Sequence, residues 1–350
     1  MKNLFLVIVL TISSITLCQT SMVYNMKNGL PSQWITSVTE DDEGAIWVGT
    51  NKGVVKLTES NIITFNRKNG LPSNYVLNLF KDSKGNIWAG TNKGAAKLTD
   101  QNVEAFGMKQ GLPHLYVTAI NEDPDGNIYI CTKGGVAKMN ADENITVLKE
   151  SDGLPKNCIH DIEFADATTW YGAFEGQVGA FDGANWNYYK QGSGYFNNLA
   201  FLVVFDVLTI GTLFSPSGML LGLVLGLPIG YAIPYNMNFT NLAIDQSGNV
   251  WLAAWGGGLY RFDGANWTNF GKSQGLPKTI KYISDIACDE KGNIWASMNG
   301  GLLKQTVDGN WEIKTKKNCP LPHKMATTVY PDSQGNIWVG TRKGLLKLEN

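Results

Sequence analysis

The sequence predicts an all-β fold, a single β-propeller of four-stranded antiparallel blades. Three observations predict it. The tripeptide Gly-Leu-Pro recurs at Gly29, Gly70, Gly111 and Gly153, in steps of 41, 41 and 42 residues by subtraction, and returns at Gly275. A period of that length signals an array or a propeller. The text "SKGNIWAGTNKG" (Ser83–Gly94) returns nearly unchanged as "DEGAIWVGTNKG" from Asp42 and "SQGNIWVGTRKG" from Ser333. Within one period, short apolar runs alternate with Gly- and Asn-rich turns, and no helical spacing competes.

Taken in chain order, residues 1–21 carry one Lys, an apolar run from Leu4 and then small polar residues. That is the layout of a secretory signal peptide, with an apolar core too short to span a membrane comfortably. Lipidation at Cys18 is the alternative, and bulky Leu17 speaks against it. Residues 22–350 are expected to be the propeller. In the second unit, Val76 to Phe80 is a first strand leading to Asp82. Ser-Lys-Gly then makes a hairpin turn in which Gly supplies a positive φ. "NIWAGT", "GAAKL" and "NVEAF" follow as second, third and fourth strands, which makes one blade. The aromatic after the turn is Trp47, Trp88, Tyr129, Trp170, Trp251, Trp295 or Trp338. Its expected role is a wedge between neighbouring sheets, because a single blade cannot cover its own faces.

Strong units end near Asp42, Asp82, Asp123, Asp166, Asp245, Asp289 and Asp332. Between the fourth and fifth of these, Gly194 falls 41 residues after Gly153, Asp206 follows Gly194 by 12 as Asp82 follows Gly70, and "LTIGT" stands where "IWAGT" would. This predicts a degenerate apolar blade over residues 194–232, hence eight blades, with seven as the alternative. The last unit stops at "GLLKLEN" without a fourth strand, and "SMVYNMKNGLP" begins as a fourth strand with nothing before it. The N-terminal strand is therefore expected to close the last blade, removing two sheet edges at once.

Residues 199–233 are far more apolar than any other unit. Asp206, Ser215-Pro216-Ser217 and Pro228 cut them into runs shorter than the roughly 20 residues a spanning helix needs. A partner-docking blade and a compensated frameshift, the latter suggested by "LLGL" at Leu220–Leu223, both stay open.

A net charge of −1 and a pI near 6.3 give no electrostatic case for nucleic acid, so no such partner is expected. Cys131, Cys158, Cys288 and Cys319 match no zinc spacing and are expected as free buried thiols. "DPDGNIY" at Asp123–Tyr129 starts like a calcium loop but lacks its later ligands. The copies "DSKG", "DQSG" and "DEKG" make it a hairpin turn. His114, His160 and His323 form no metal-ligand pair, and there is no nucleophile elbow and no singular pair of carboxylates. No catalytic residue, cofactor or metal is expected.

The loops are the candidate site. In a propeller the connection into each innermost strand and the turn between second and third strands share one face, around the channel mouth. The first set supplies Gln33, Trp34, Asn74, Tyr75, His114, Tyr116, Asn157 and Asn198. The second supplies Asn51, Lys52, Asn92, Lys93, Lys133, Trp255, Asn299, Arg342 and Lys343. These residues vary while the scaffold repeats, and loops on a rigid frame are where binding resides. Aromatic faces beside Asn, Gln and Lys suit a carbohydrate or another polar ligand.

"GLPSNYVLNLFKDSKGNIWAGTNKGAAKL" resembles the two-component regulator propeller repeat, and the resemblance runs from about residue 22 to 350. Such repeats build periplasmic sensor propellers of hybrid two-component systems, many in Bacteroidetes, that sense oligosaccharides. The full-length sensors continue into a membrane helix and kinase, whereas this sequence ends at Asn350. The resemblance therefore implies a stand-alone propeller, periplasmic or secreted, that binds an oligosaccharide or a protein partner and has no membrane span after signal cleavage. Lyase and glycosidase propellers keep an enzyme with its site at the channel mouth as the alternative.

Overall fold

The repeated text folds around its aspartate. Asp82 accepts hydrogen bonds from the Asn86 N–H at 2.7 Å, from Asn86 Nδ2 at 2.8 Å and from the Trp88 indole N–H at 2.9 Å. Gly85 closes the hairpin at φ +79°. The same indole bond, 2.8 Å long, joins Trp251 to Asp245, Trp295 to Asp289 and Trp338 to Asp332. In the first unit the acceptor is Asp41, so that hairpin starts one residue before Asp42. Asp42 instead binds Lys81 of the next blade at 2.7 Å. Asp123 accepts from Asp125 and Asn127 of its own turn, so "DPDG" is a hairpin.

The computed structural model of the protein describes residues 21–99, 102–165, 167–174, 177–189, 238–271, 274, 276–277, 280 and 282–349. They form seven four-stranded antiparallel sheets. We letter the strands of each blade A to D from the channel outward. The A strands are Ile35–Glu40, Val76–Lys81, Val117–Glu122, Ile159–Ala165, Asn238–Ile244, Ile283–Cys288 and Ala326–Pro331.

The ring has seven blades, not the expected eight. The Leu242 N–H of blade five donates to Asp161 of blade four at 2.6 Å, and Trp170 shares a core with Leu242, Val250 and Leu252. The same link joins other neighbours, from Leu79 N–H to Ser37, Ile120 N–H to Asn78 and Val329 N–H to Asp285. Blades four and five are thus direct neighbours, with no space for a sheet between them. The segment expected to form that sheet, residues 194–232, lies outside the described residues.

Each wedge aromatic is buried between sheets, as expected. Trp88, 1% exposed, packs on Leu112, Val117 and Ile120 of blade three. The glycine of "AGT" makes room for the neighbour, since a Cβ on Gly90 would lie 2.7 Å from Val117 Cγ1.

The N-terminal strand Ser21–Tyr24 closes blade seven against Gly344–Leu348, in register from Ser21↔Leu348 to Tyr24↔Leu345. Ser21 is already paired, one residue before the expected boundary. The Tyr24 ring lies 5.7 Å from Trp338, the place that Phe65 takes against Trp47 and Phe106 against Trp88. Glu40 of blade one accepts both the N–H and the hydroxyl of Ser333 in blade seven, at 2.7 and 2.9 Å. The four cysteines are free, two of them buried and two half-buried. Among the described residues no helix is long and apolar enough to cross a membrane.

Because the strands alternate in direction, the D-to-A crossings and B–C turns share one face, here the crossover face. The A–B and C–D hairpins share the other, the hairpin face.

Candidate functional site

Four of the described crossings each bring one residue to the channel rim. In the second, Asn66 caps the 3-10 turn Arg67–Asn69, Gly70 takes φ +104°, and Leu71 is buried. Ser73 Oγ then accepts the Tyr75 N–H at 3.1 Å. Ser32 does the same for Trp34, and the Nδ1 atoms of His114 and His323 do it for Tyr116 and Met325. The B–C turns meet these crossings from outside. The Asn92 N–H donates to the Tyr75 carbonyl and the Lys133 N–H to that of Tyr116, both at 3.3 Å.

The structure brings five of the sequence-predicted site residues together. The Arg342 guanidinium lies 5.1 Å over the Trp34 ring. Trp34 meets Tyr75 edge-on at 6.1 Å, and Lys133 sits 4.0 Å over Tyr116. Burial, followed by the field of Tyr116, raises the Tyr75 hydroxyl pKa against the opposing charge of Arg342. Gln33, Lys52, Lys93 and Lys343 are exposed on the same face. Asn74 and Asn157 are scaffold, accepting the N–H groups of Arg67 and Glu150 at 2.8 Å. His114 is scaffold through its Nδ1. Trp255 ends the B strand Val250–Trp255 of blade five, its side chain lies outside the described residues, and so does Asn198.

The floor of the mouth comes from a feature the sequence did not show. Every A strand shifts register just after its first residues, as between Ile35 and Ser37 or Ile159 and Asp161. Around the bulges, Thr36, His160, Asn241 and Ser284 line a cavity of about 120 Å³, with Asp161 and Asp285 among its other walls. Thr36 Oγ1, His160 Nε2, Asn241 Oδ1 and Ser284 Oγ are buried there without a hydrogen-bond partner. Buried polar atoms are normally satisfied, so four facing one cavity call for partners, water or ligand, from outside the chain. His160 stacks on Phe174 at 5.7 Å. Burial, and secondly the charge of Lys133, push its imidazole pKa down.

A larger cavity of about 500 Å³, lower in the channel, is lined by Asp161, Glu163 and Asp285 among others. Burial raises all three carboxyls, Asp285 to about 6, and Asp161 and Glu163 raise further under the charge of a neighbouring carboxylate. Hydrogen bonds from Leu242, Thr328 and Val329 oppose the rise in the two aspartates. Sequence reasoning missed this layer because it does not repeat. Just after the bulge the seven blades carry Ser37, Asn78, Ala119, Asp161, Asn241, Asp285 and Thr328. The one available signal was that His160 stands two residues after Cys158, the blade-four counterpart of Tyr75. Among the described residues no three metal-ligating side chains converge.

The two-component regulator propeller family matches residues 29–52, 70–93, 111–134 and 320–343. No curated protein sequence matches the chain. Among solved structures, the extracellular domain of a hybrid two-component system from B. thetaiotaomicron superposes with a TM-score of 0.71 at 23% identity, covering 95% of this chain and 41% of that one. A second such domain from the same organism gives 0.66 at 17%, covering 94% and 40%. A streptogramin B lyase gives 0.68 at 15%, covering 94% and 97%. The chain thus spans about two-fifths of those extracellular-domain chains and nearly all of the lyase. The likeness to these structures is one of fold. Four stretches of the chain match the two-component regulator propeller repeat, and its seven-bladed ring is similar in fold to those extracellular domains.

Proposed function

We propose that the protein is an exported recognition module that binds an oligosaccharide at the mouth of its crossover face. One observation carries the reading. An arc of Arg342, Trp34 and Tyr75 stands over a floor with four unpartnered buried polar atoms. Aromatic walls with a few convergent polar groups are the usual make-up of a small-molecule site. Sugar hydroxyls would satisfy the floor atoms while ring faces rest on the rim. The segment before Ser21 acts as the export signal in this reading, which suits a periplasmic or secreted protein. The similarity to extracellular sensor domains supports the same assignment.

The test is a thermal-shift screen of the purified protein against an oligosaccharide panel. A ligand that binds only the folded ring raises the melting temperature with concentration. The Trp34→Ala and Tyr75→Ala variants should lose that rise while melting like the parent without ligand. A rise of equal size in both variants would remove the mouth from consideration.

A lyase activity is the second reading, favoured by His160. Its Nε2 is unpartnered in the cavity, and its lowered pKa keeps the imidazole neutral near pH 7, as a general base must be. Incubation with a streptogramin B, followed by mass spectrometry, tests it. An opened product formed by the parent and not by His160→Ala supports the lyase, and an unchanged substrate rejects it for that compound class.

A further inference from the structure

The net charge of −1 conceals two oppositely charged faces. Every described A–B hairpin begins on an aspartate, from Asp41 to Asp332, so acids gather on the hairpin face. The described B–C turns hold no acid, and among the described residues of the crossings only Glu150 and Asp152 are acidic. These turns and crossings carry Lys52, Lys93, Lys133, Lys324, Arg342 and Lys343. We infer that the mouth selects an acidic oligosaccharide, one whose sugars bear carboxylate or sulfate groups. This rests on the mouth being the ligand site proposed above.

Three observations support that class. Lys52, Lys93, Lys133, Arg342 and Lys343 form no ion pair with any described carboxylate. A concave rim of one sign focuses its field on an incoming anion. Two of the cations are also held in place by rings, Arg342 on Trp34 and Lys133 on Tyr116. A ring face steadies a cation without neutralising it, so less side-chain freedom is lost when the anion arrives.

Below the rim, the character changes with depth. The hydroxyl, imidazole and amide atoms of the floor suit neutral sugar hydroxyls. Asp161 and Asp285 line this same recess and Glu163 the larger cavity below it, and any ionised carboxylate there repels an anion. The ligand's charges are therefore kept at the rim and its hydroxyls face down. A nucleic-acid duplex cannot enter a recess of about 120 Å³, which is why a sugar is favoured over that other polyanion.

The experiment is calorimetric titration of the purified protein with four probes of matched length at two salt concentrations. The probes are an oligogalacturonate, a heparin-derived oligosaccharide, a neutral cello-oligosaccharide and single-stranded DNA. At least one acidic sugar should bind more than about tenfold tighter than the neutral one, and its affinity should fall as salt rises. Arg342→Gln and Lys133→Gln should each weaken it by about tenfold with no change in melting temperature. Lys84→Gln on the hairpin face should leave it unaltered. Neutral sugar binding as tightly as acidic sugar, and lost in Trp34→Ala, would overturn the ligand class and keep the site. DNA binding tighter than either acidic sugar would also overturn the class. If no probe binds, the inference and the reading beneath it both fall.

Discussion

The hairpin face and the crossover face are the two ends of the same strands, yet they use polar residues in opposite ways. On the hairpin face, polar side chains are consumed. Burial raises the Asp41 carboxyl, but the Trp47 indole, Lys56 and the Ala45 N–H together hold it below the ordinary range. Asp123 and Asp245 behave alike, again with burial opposed by larger combined hydrogen bonding. On the crossover face, Lys52, Lys93, Lys133, Arg342 and Lys343 stand without a described counterion and the floor atoms without partners within the chain. Repetition at equivalent positions marks the frame, and variation at equivalent positions marks the chemistry.

The largest effect should come from removing the seam between blades seven and one. Deleting residues 21–27 takes away the strand paired with Gly344–Leu348 and bares Leu346 and Leu348. Chemical denaturation should show a loss of stability greater than that of any single substitution. A truncated chain with the parental midpoint would contradict ring closure.

Next, the same residue type separates frame from mouth. Trp88→Ala should cost about 3–5 kcal/mol, since it leaves a cavity between blades and takes the indole donor from Asp82. Trp34→Ala, at the half-buried rim, should cost less than about 1 kcal/mol. Equal losses would break the distinction.

The two groups of carboxylates should also titrate in opposite senses. Asp41, Asp123 and Asp245 on the hairpin face have lowered pKa values, so their contribution is present above the unfolded value near 4 and is lost as the pH falls through the folded one. Glu163 and Asp285 are raised. The native ring then holds protons the unfolded chain has released, and stability falls as the pH rises from about 4 toward neutrality. Melting temperature should peak at mildly acidic pH. Glu163→Gln should gain over the parent near pH 8 and match it near pH 5, and a parallel pair of curves would refute the assignment.

The smallest effect should be at a single exposed rim cation. Lys52→Gln should leave the melting curve unaltered and weaken an acidic ligand by about twofold, as exposed charges do. A change in the melting curve would mean that Lys52 belongs to the frame.

The blade text was legible because every residue in it has a repeated mechanical task. Thr91 receives the Lys93 N–H and donates to the Gly94 carbonyl, and a Cβ on Gly94 would strike the Phe106 carbonyl. The closing strand was legible for the same reason, since Tyr24 is written where Phe65 and Phe106 stand. The number of blades was not legible. Spacing from Gly153 to Gly194 measures chain length, whereas a blade exists only by lateral contact, and the Asp161–Leu242 link joins blades four and five directly. The rim aromatics were legible from loop position. The floor was not, because the bulge shifts each A strand's pairing by one residue and five kinds of side chain in seven blades hide the shared position.

The seam sets the order in which the ring can be finished. Blades one to six are each cut from one stretch of chain, but blade seven waits for Ser21 to meet Leu348. Loop-closure entropy rises only logarithmically with length, by about 0.6 kcal/mol per doubling, so the long span weakens the finished ring little while slowing its formation. The first described strand remains a bare edge until the last one has been made and threaded into place. Whatever holds that edge apart in the interval decides whether seven finished sheets become a ring or find a second copy of the chain.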